Sequence, residues 1–257
     1  MKLYFKFFSM HLKSRMAYKK SFFFSVIGQF LTSFTAFLSL YFLLSRFQSV
    51  KGYTMGECLL SASIMWISFP LAEWFFRGFD TFPNMVRIAE FDRVLVRPRG
   101  LIFQVLCQKV EFTRIGRLAQ GVVTLCMGIT LSGVEWTGAR CLCLALMILG
   151  GVCVFSALFL IYAGLSFFTL EGLEFMNCFT DGAREHFAYP LDIYGSGFVK
   201  FGTYIIPYAL FQYYPLQYLL GRAGMEYAFL PLLAPLFMLP AYALWRLGVH
   251  KYKSAGS

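Results

Sequence analysis

The sequence predicts an all-α integral membrane protein with six transmembrane helices and both termini cytoplasmic. An N-terminal interfacial amphipathic helix and a cytoplasmic helix between spans 2 and 3 complete the expectation. Three observations carry it. Apolar residues make up 58% of the chain and charged residues only 14%, where soluble domains carry about 25% charge. Several uncharged runs reach the ~20 residues needed to cross ~30 Å of hydrocarbon. The 23 Lys and Arg are also spread very unevenly between those runs. With a mean hydropathy of +0.63, a water-soluble chain of this length would leave large apolar patches exposed.

Residues 1–20 carry a lysine stripe. Lys2, Lys6, Ser9, Lys13 and Lys20 fall within about 40° of one line on a helix. Tyr4, Phe7, Phe8 and Tyr18 fall opposite, which suits a helix lying in the membrane interface with its lysines toward anionic headgroups. An ordinary basic flank that only orients the first span is the plainer alternative. The first apolar run, 22–44, is too long for the core of a cleaved signal peptide. The second span covers 59–76 and ends in AEWFFRGFD, where Trp74 and Arg77 suit an interface. A charged loop follows over 77–117. The third span, 118–131, is short unless it begins before Arg117, and the uncharged run 141–170 exceeds a bilayer, so that helix should tilt or project. A polar segment, Glu171–Lys200, separates it from a fifth span at 201–220 interrupted by Pro207 and Pro215. Proline in a span removes a backbone hydrogen bond, so the fifth helix is either broken near the outer mouth or gently kinked. The sixth span covers 227–245. The whole chain, 1–257, is expected to be a single transmembrane domain.

Charge sets the orientation. With both ends inside, 19 Lys and Arg lie on the cytoplasmic side and four, Arg46, Lys51, Arg140 and Arg222, lie outside. The net charge of +10 therefore records membrane orientation and the lipid surface, and nucleic acid is not expected as a partner. The seven cysteines mostly fall in or beside apolar runs without zinc-type spacing, which fits small buried hydrophobes.

Catalytic chemistry is missing. The span centres carry no Asp, Glu, Lys, Arg or His; ionisable residues gather at span ends, at Glu73, Arg77, Arg117, Glu171 and Glu174. A proton- or sodium-coupled carrier usually needs an intramembrane acid or base. His11, His186 and His250 lie in flanks or loops, no hydrolase or zinc-protease motif occurs, and the Arg184-Glu185-His186 run reads as a solvated, locally paired loop. No phosphate-binding G-x-x-x-x-G-K-[ST] loop occurs either. The chain is not expected to be an enzyme, and if ATP drives it another chain must bind the nucleotide.

The charged loop holds eight of the 23 Lys and Arg between Arg77 and Arg117. Thr81-Phe82-Pro83 predicts a helix start, continued by Met85, Ile88, Ala89, Phe91 and Asp92 as one short amphipathic helix. Pro98 and Gly100 break it before a second apolar helix over Leu101–Cys107. Glu90 and Asp92 beside Arg93, Arg97 and Arg99 supply both signs of charge for a docking surface.

AEFDRVLVRPRGLIFQ in this loop resembles the D-x-x-L-x-R-P-x-x-x-x-x-Q stretch of permease subunits of type-2 ABC exporters, the branch of paired bacterial permeases. YPLDIYG at Tyr189–Gly195 and IIPYALFQYYPLQYLLG at Ile205–Gly221 resemble two further elements of that branch, in the same order. The resemblance implies an exporter subunit in the bacterial plasma membrane that works as a dimer, often with a second related permease. Two copies of a cytoplasmic ABC ATPase would power it. It also implies a coupling helix within about Pro83–Arg99, with Arg87, Glu90, Asp92, Arg93, Arg97, Pro98 and Arg99 meeting the ATPase. Pro207, Tyr213, Tyr214 and Pro215 are the expected conduit or outer gate. No cofactor belongs to this chain; ATP and Mg would sit on the partner. An ion-gradient-driven carrier, or a non-transporting scaffold or sensor, is the competing expectation.

Overall fold

Thr54 starts the helix around which the others pack. Its side chain accepts from the Glu57 amide at 3.4 Å while Glu57 Oε2 accepts from the Thr54 amide at 2.9 Å. This reciprocal capping box satisfies two donors that a helix start would leave open. The helix it begins, α3 (Met55–Asp80), is buried along most of its length from Gly56 to Phe79. The computed structural model describes residues 2–47, 49–169 and 173–254. The side chain of Lys2, the end of the expected fourth span at Leu170, and Glu171 lie outside the described residues.

Two helices precede α3, α1 (Lys2–Met16) and α2 (Lys19–Phe47). A hairpin follows them, β1 (Ser49–Val50) paired antiparallel with β2 (Tyr53–Thr54). Its two central residues, Lys51 and Gly52, have φ of 50° and 82°, the pairing that matches a tight turn to the strand twist. The α1 stripe has a physical counterpart. Lys6, Ser9 and Lys13 are exposed while Tyr4, Phe7 and Phe8 are half-buried. Tyr18 falls beyond the end of α1 and is exposed. The α2 helix buries one line of residues, Ser33, Phe37, Leu40 and Leu44, and leaves the rest of its surface open.

The charged loop forms three helices, α4 (Phe82–Arg87), α5 (Phe91–Leu95) and α6 (Leu101–Gln108). The single amphipathic helix expected from Pro83 to Asp92 is interrupted, because Ala89 adopts φ 56°. Beyond a 3₁₀ turn at Phe112–Arg114 comes α7 (Ile115–Leu131), which begins before Arg117. Thr137 caps α8 (Gly138–Leu165), accepting from the Arg140 amide at 3.4 Å.

The expected polar loop 171–200 is not simply a loop. A 3₁₀ turn at Leu173–Cys178 leads to α9 (Asp181–His186), and Asp181 lies near Arg117. Eleven residues after Asp181, Asp192 meets Tyr53 beside the opposite end of α3. The segment therefore runs along the bundle. Gly195, at φ 99°, reverses the chain into α10 (Ser196–Tyr204), whose Phe201 stacks on Phe179. The chain turns again at Ile205–Pro207 and returns through α11 (Tyr208–Phe211) and α12 (Tyr213–Leu219). The expected fifth span is thus broken into three helices rather than kinked. The sixth begins as a 3₁₀ stretch, Met225–Phe237, with Pro231 and Pro235 inside it, and becomes regular only in α13 (Met238–Lys251). Two internal prolines account for that start, since each removes a donor from the helix ladder.

Among the described residues, four segments are long and apolar enough to cross a membrane: Lys19–Phe47, Met55–Arg87, Gly138–Leu165 and Met225–Lys251. Close backbone contact joins α7 to α3. A Cβ on Gly121 would lie 2.6 Å from the Trp66 carbonyl oxygen, and one on Gly128 would lie 2.8 Å from the Leu60 nitrogen. Small residues at such crossings let membrane helices approach.

Candidate functional site

At the Asp80 end of α3 the loop helices sit on an aromatic base. Phe82 and Phe91 are fully buried, with ring centroids 5.1 Å apart. Phe82 meets Trp245 at 4.9 Å and Phe167 at 5.2 Å. Edge-to-face pairs of this kind add to the burial of the rings themselves. The turn after α5 is held from within, because Gln104 Nε2 donates to the carbonyls of Val94 at 3.1 Å and Arg99 at 2.8 Å. Facing outward from this base are Arg87, Glu90, Arg93, Val96, Arg97, Pro98 and Arg99. Val96 is 83% exposed, and no ion pair joins Arg93, Arg97 or Arg99 to an acid among the described residues. Asp92 differs from its neighbours. It is half-buried and accepts from Ser254 Oγ at 2.7 Å.

Beneath that surface lies an ion-pair hub. Glu73, 1% exposed, receives Arg77 at 3.1 Å, Arg114 at 3.0 Å and Arg117 at 3.2 Å. Arg117 also reaches Asp181 at 3.7 Å, and Arg77 also pairs with Asp80. Arg114 extends to Gln29 on α2 at 2.9 Å. One carboxylate thereby ties α3 to α7, and through its arginines to α2 and α9. A buried acid of this kind is tolerable only with such partners. An open polar cleft of about 800 Å³ adjoins the hub, lined among others by Arg77, Asp80, Glu90, Lys109 and Asp181. Outside the spans, burial raises the Cys107 thiol, and burial followed by the Asp92 carboxylate raises the Tyr252 phenol.

The expected conduit residues flank α11. Pro207 lies at the turn before Tyr208, whose hydroxyl donates to the Phe179 carbonyl toward the Asp80 end. Tyr213, Tyr214 and Pro215 lie farther along, between Gln212 and Gln217. Tyr214 meets Thr203 Oγ1 at 3.1 Å and Tyr227 ring to ring at 5.6 Å. At the Met55 end a second polar network closes the bundle. Tyr53 donates to Asp192 at 3.0 Å and receives Gln217 Nε2 at 2.5 Å. Arg222 reaches both oxygens of Glu57 at 2.8 and 2.9 Å and lies over the Tyr53 ring at 4.7 Å. The second and third sequence elements therefore meet on Tyr53, and Gln212 Nε2 donates directly to the Tyr189 carbonyl at 3.0 Å.

Residues 30–256 match the family described as ABC-2 family transporter protein. The chain belongs to the ABC-2 transporter family. No curated protein and no solved structure matches it. Membership makes this a multi-pass membrane permease of an ABC transporter and implies association with an ABC ATPase.

In this ABC-2 permease several residues escaped the sequence reading. Arg114 was not singled out, although its spacing of three from Arg117 places both on one helical face. Arg184, read as part of a solvated loop, is largely buried and lies 5.4 Å from the Phe69 ring centre. Gln212 is wholly buried, and a lone glutamine among aromatic residues gave no sign of that.

Proposed function

We propose that this ABC-2 permease is the transmembrane subunit of an ATP-driven exporter in a bacterial plasma membrane. It crosses the bilayer six times with both termini cytoplasmic. Two copies of a separate ATPase bind ATP and Mg, and a second related permease completes the conduit. Arg87, Glu90, Arg93, Arg97, Pro98 and Arg99 meet the ATPase, with Asp92 supporting them from behind. Movement of α4 and α5 passes to the spans through the aromatic base and the Glu73 hub.

The observation that carries this reading is the outward face of the loop, charged, without internal ion pairs, and set on a fully buried base. Two further features support the topology. The Asp80 end of α3 gathers Arg77, Arg114, Arg117 and the loop helices, as a cytoplasmic end should. The chain also passes from Asp181 at that end to Asp192 at the other, which makes 173–219 a fifth crossing with a re-entrant pair, α10 and α11–α12. Pro207 lies at the tip of that pair, so the outer gate falls to Tyr213, Tyr214 and Pro215.

A carrier would need a free buried acid. Glu73 and Glu57 are the buried acids among the described residues, and guanidinium groups already occupy both, three on Glu73 and that of Arg222 on Glu57, so ion pairing fits them better than ion binding. The test is gentle purification of the tagged chain with identification of its companions. An ATPase and a second permease are expected, and Arg93→Glu with Arg97→Glu should lose the ATPase while inserting normally. Recovery of the chain alone, still moving solute under an ion gradient, would overturn the reading.

A further inference from the structure

The segment Tyr252–Ser254, just beyond α13, packs back against the bundle. Tyr252 stacks edge-on against Phe91 at 5.0 Å and against Phe167 at 5.7 Å. Two residues later Ser254 Oγ donates to Asp92 Oδ2 at 2.7 Å. Phe91 and Asp92 are the first two residues of α5. This five-residue helix has no side-chain cap of its own, and it follows a non-glycine residue, Ala89, at φ 56°. A helix this short is not stable by itself. Its orientation must come from what packs on it, and at its start that is the aromatic base and the segment Tyr252–Ser254.

We propose that Tyr252 and Ser254 form a strap that sets the angle of α5, and so positions the outward face Arg93–Arg99 for the ATPase. The inference rests on the reading of that face as the coupling surface. Tyr252 and Ser254 are positioning residues: Tyr252 acts through Phe91, and Ser254 acts through Asp92. The strap adds to the connection that Trp245 of α13 already makes between the last membrane span and the loop between spans 2 and 3, where it meets Phe82 and Phe91. Tilting of α13 would then move α5 without passing through α3. Asp92, grouped by sequence with its charged neighbours, faces inward in this scheme and serves the strap rather than the ATPase.

The experiment uses the assembled transporter in proteoliposomes and compares wild type with Tyr252→Ala/Ser254→Ala and with Tyr252→Phe. Three quantities are read: ATPase retained on purification, solute moved per ATP hydrolysed, and amide exchange across 91–95. The double variant should keep the ATPase, exchange faster over 91–95 only, and move about three- to tenfold less solute per ATP, the scale of one lost hydrogen bond and ring contact. Tyr252→Phe keeps the ring and should behave as wild type. Unchanged transport per ATP in the double variant would overturn the strap. So would faster exchange spread over the whole chain, which would mean a general loss of fold. Loss of the ATPase only in Arg93→Glu/Arg97→Glu tests the coupling surface separately, so failure of the strap and failure of that surface give different results.

Discussion

Gln212 Nε2 lies 2.5 Å from Ser61 Oγ, which joins the broken segment 196–219 to the central helix α3 two turns in from its Met55 end. The same nitrogen faces the carbonyls of Phe187 at 3.1 Å and Tyr189 at 3.0 Å. Phe187 and Tyr189 precede the 3₁₀ turn Leu191–Tyr194, whose amides bond Pro190 and the following turn instead, so a side chain serves these two carbonyls. Gln212→Leu keeps the volume and removes the donor. It should lower stability by about 1–3 kcal/mol, the cost of buried acceptors left without partners. Thermal unfolding in detergent would show this as a lower midpoint. An unchanged midpoint would mean that water replaces the amide.

The Glu73 hub predicts an order of severity. Removing Arg114 leaves Glu73 with Arg77 and Arg117, whereas Glu73→Ala leaves three half-buried guanidinium groups together, with only Asp80 and Asp181 at their edge to serve Arg77 and Arg117. Breaking a buried pair costs about 3–5 kcal/mol. Glu73→Ala should therefore reduce the folded yield in membranes more than Arg114→Ala does. Combining the two should do less harm than their sum, because each removes part of the other's imbalance. Equal loss in both single variants would show that the arginines, not the carboxylate, hold the junction.

What the sequence conveyed depended on range. Helical runs such as 22–44 and 59–76 were legible because a span needs only length and low charge, and the observed helices extend those limits by a few residues at either end. The break at Ala89 was not legible, since alanine favours helix and the override comes from packing Phe82 and Phe91 on one base. The course of 181–195 was hidden for another reason. Its polar residues read as water-facing, yet Arg184 is covered by Phe69 and Asp192 is held by Tyr53, partners more than 100 residues away in sequence. Proline marks the breaks in the expected fifth span, and Pro231 and Pro235 carry the same signal in the 3₁₀ start of the expected sixth.

Two cysteines give a chemical test of sidedness. Cys178 is exposed beside Asp181 and should face the cytoplasm in the proposed topology. Cys107 is buried, and burial raises its thiol above the ordinary value, so less of it is thiolate at any given pH. A membrane-impermeant maleimide should label Cys178 in inside-out vesicles and not in sealed right-side-out ones. Cys107 should react at least about tenfold more slowly and speed up as pH rises toward its thiolate range. Fast labelling of Cys178 from outside would reverse the orientation.

The crossing of α7 over α3 predicts an effect from a single methyl group. At Gly121 a Cβ would lie 2.6 Å from the Trp66 carbonyl oxygen and 2.9 Å from its carbon, both backbone atoms that cannot swing aside. The helices would have to separate locally, and Gly121→Ala should cost about 1–3 kcal/mol as an overpacked contact. Helix propensity works in the opposite direction, since Ala is better than Gly by about 1 kcal/mol inside a helix, so a measured loss understates the clash. Gly138→Ala supplies the comparison. It lies at the start of α8 with nothing within 4 Å of the new Cβ, so propensity alone should act and stability should hold or rise. Unfolding midpoints of the two variants, measured side by side, should therefore move apart. If Gly121→Ala is as stable as Gly138→Ala, α3 and α7 do not cross this closely in the membrane. The junction above Glu73 would then be looser than described, and α3 a poor lever for motion arriving from the loop.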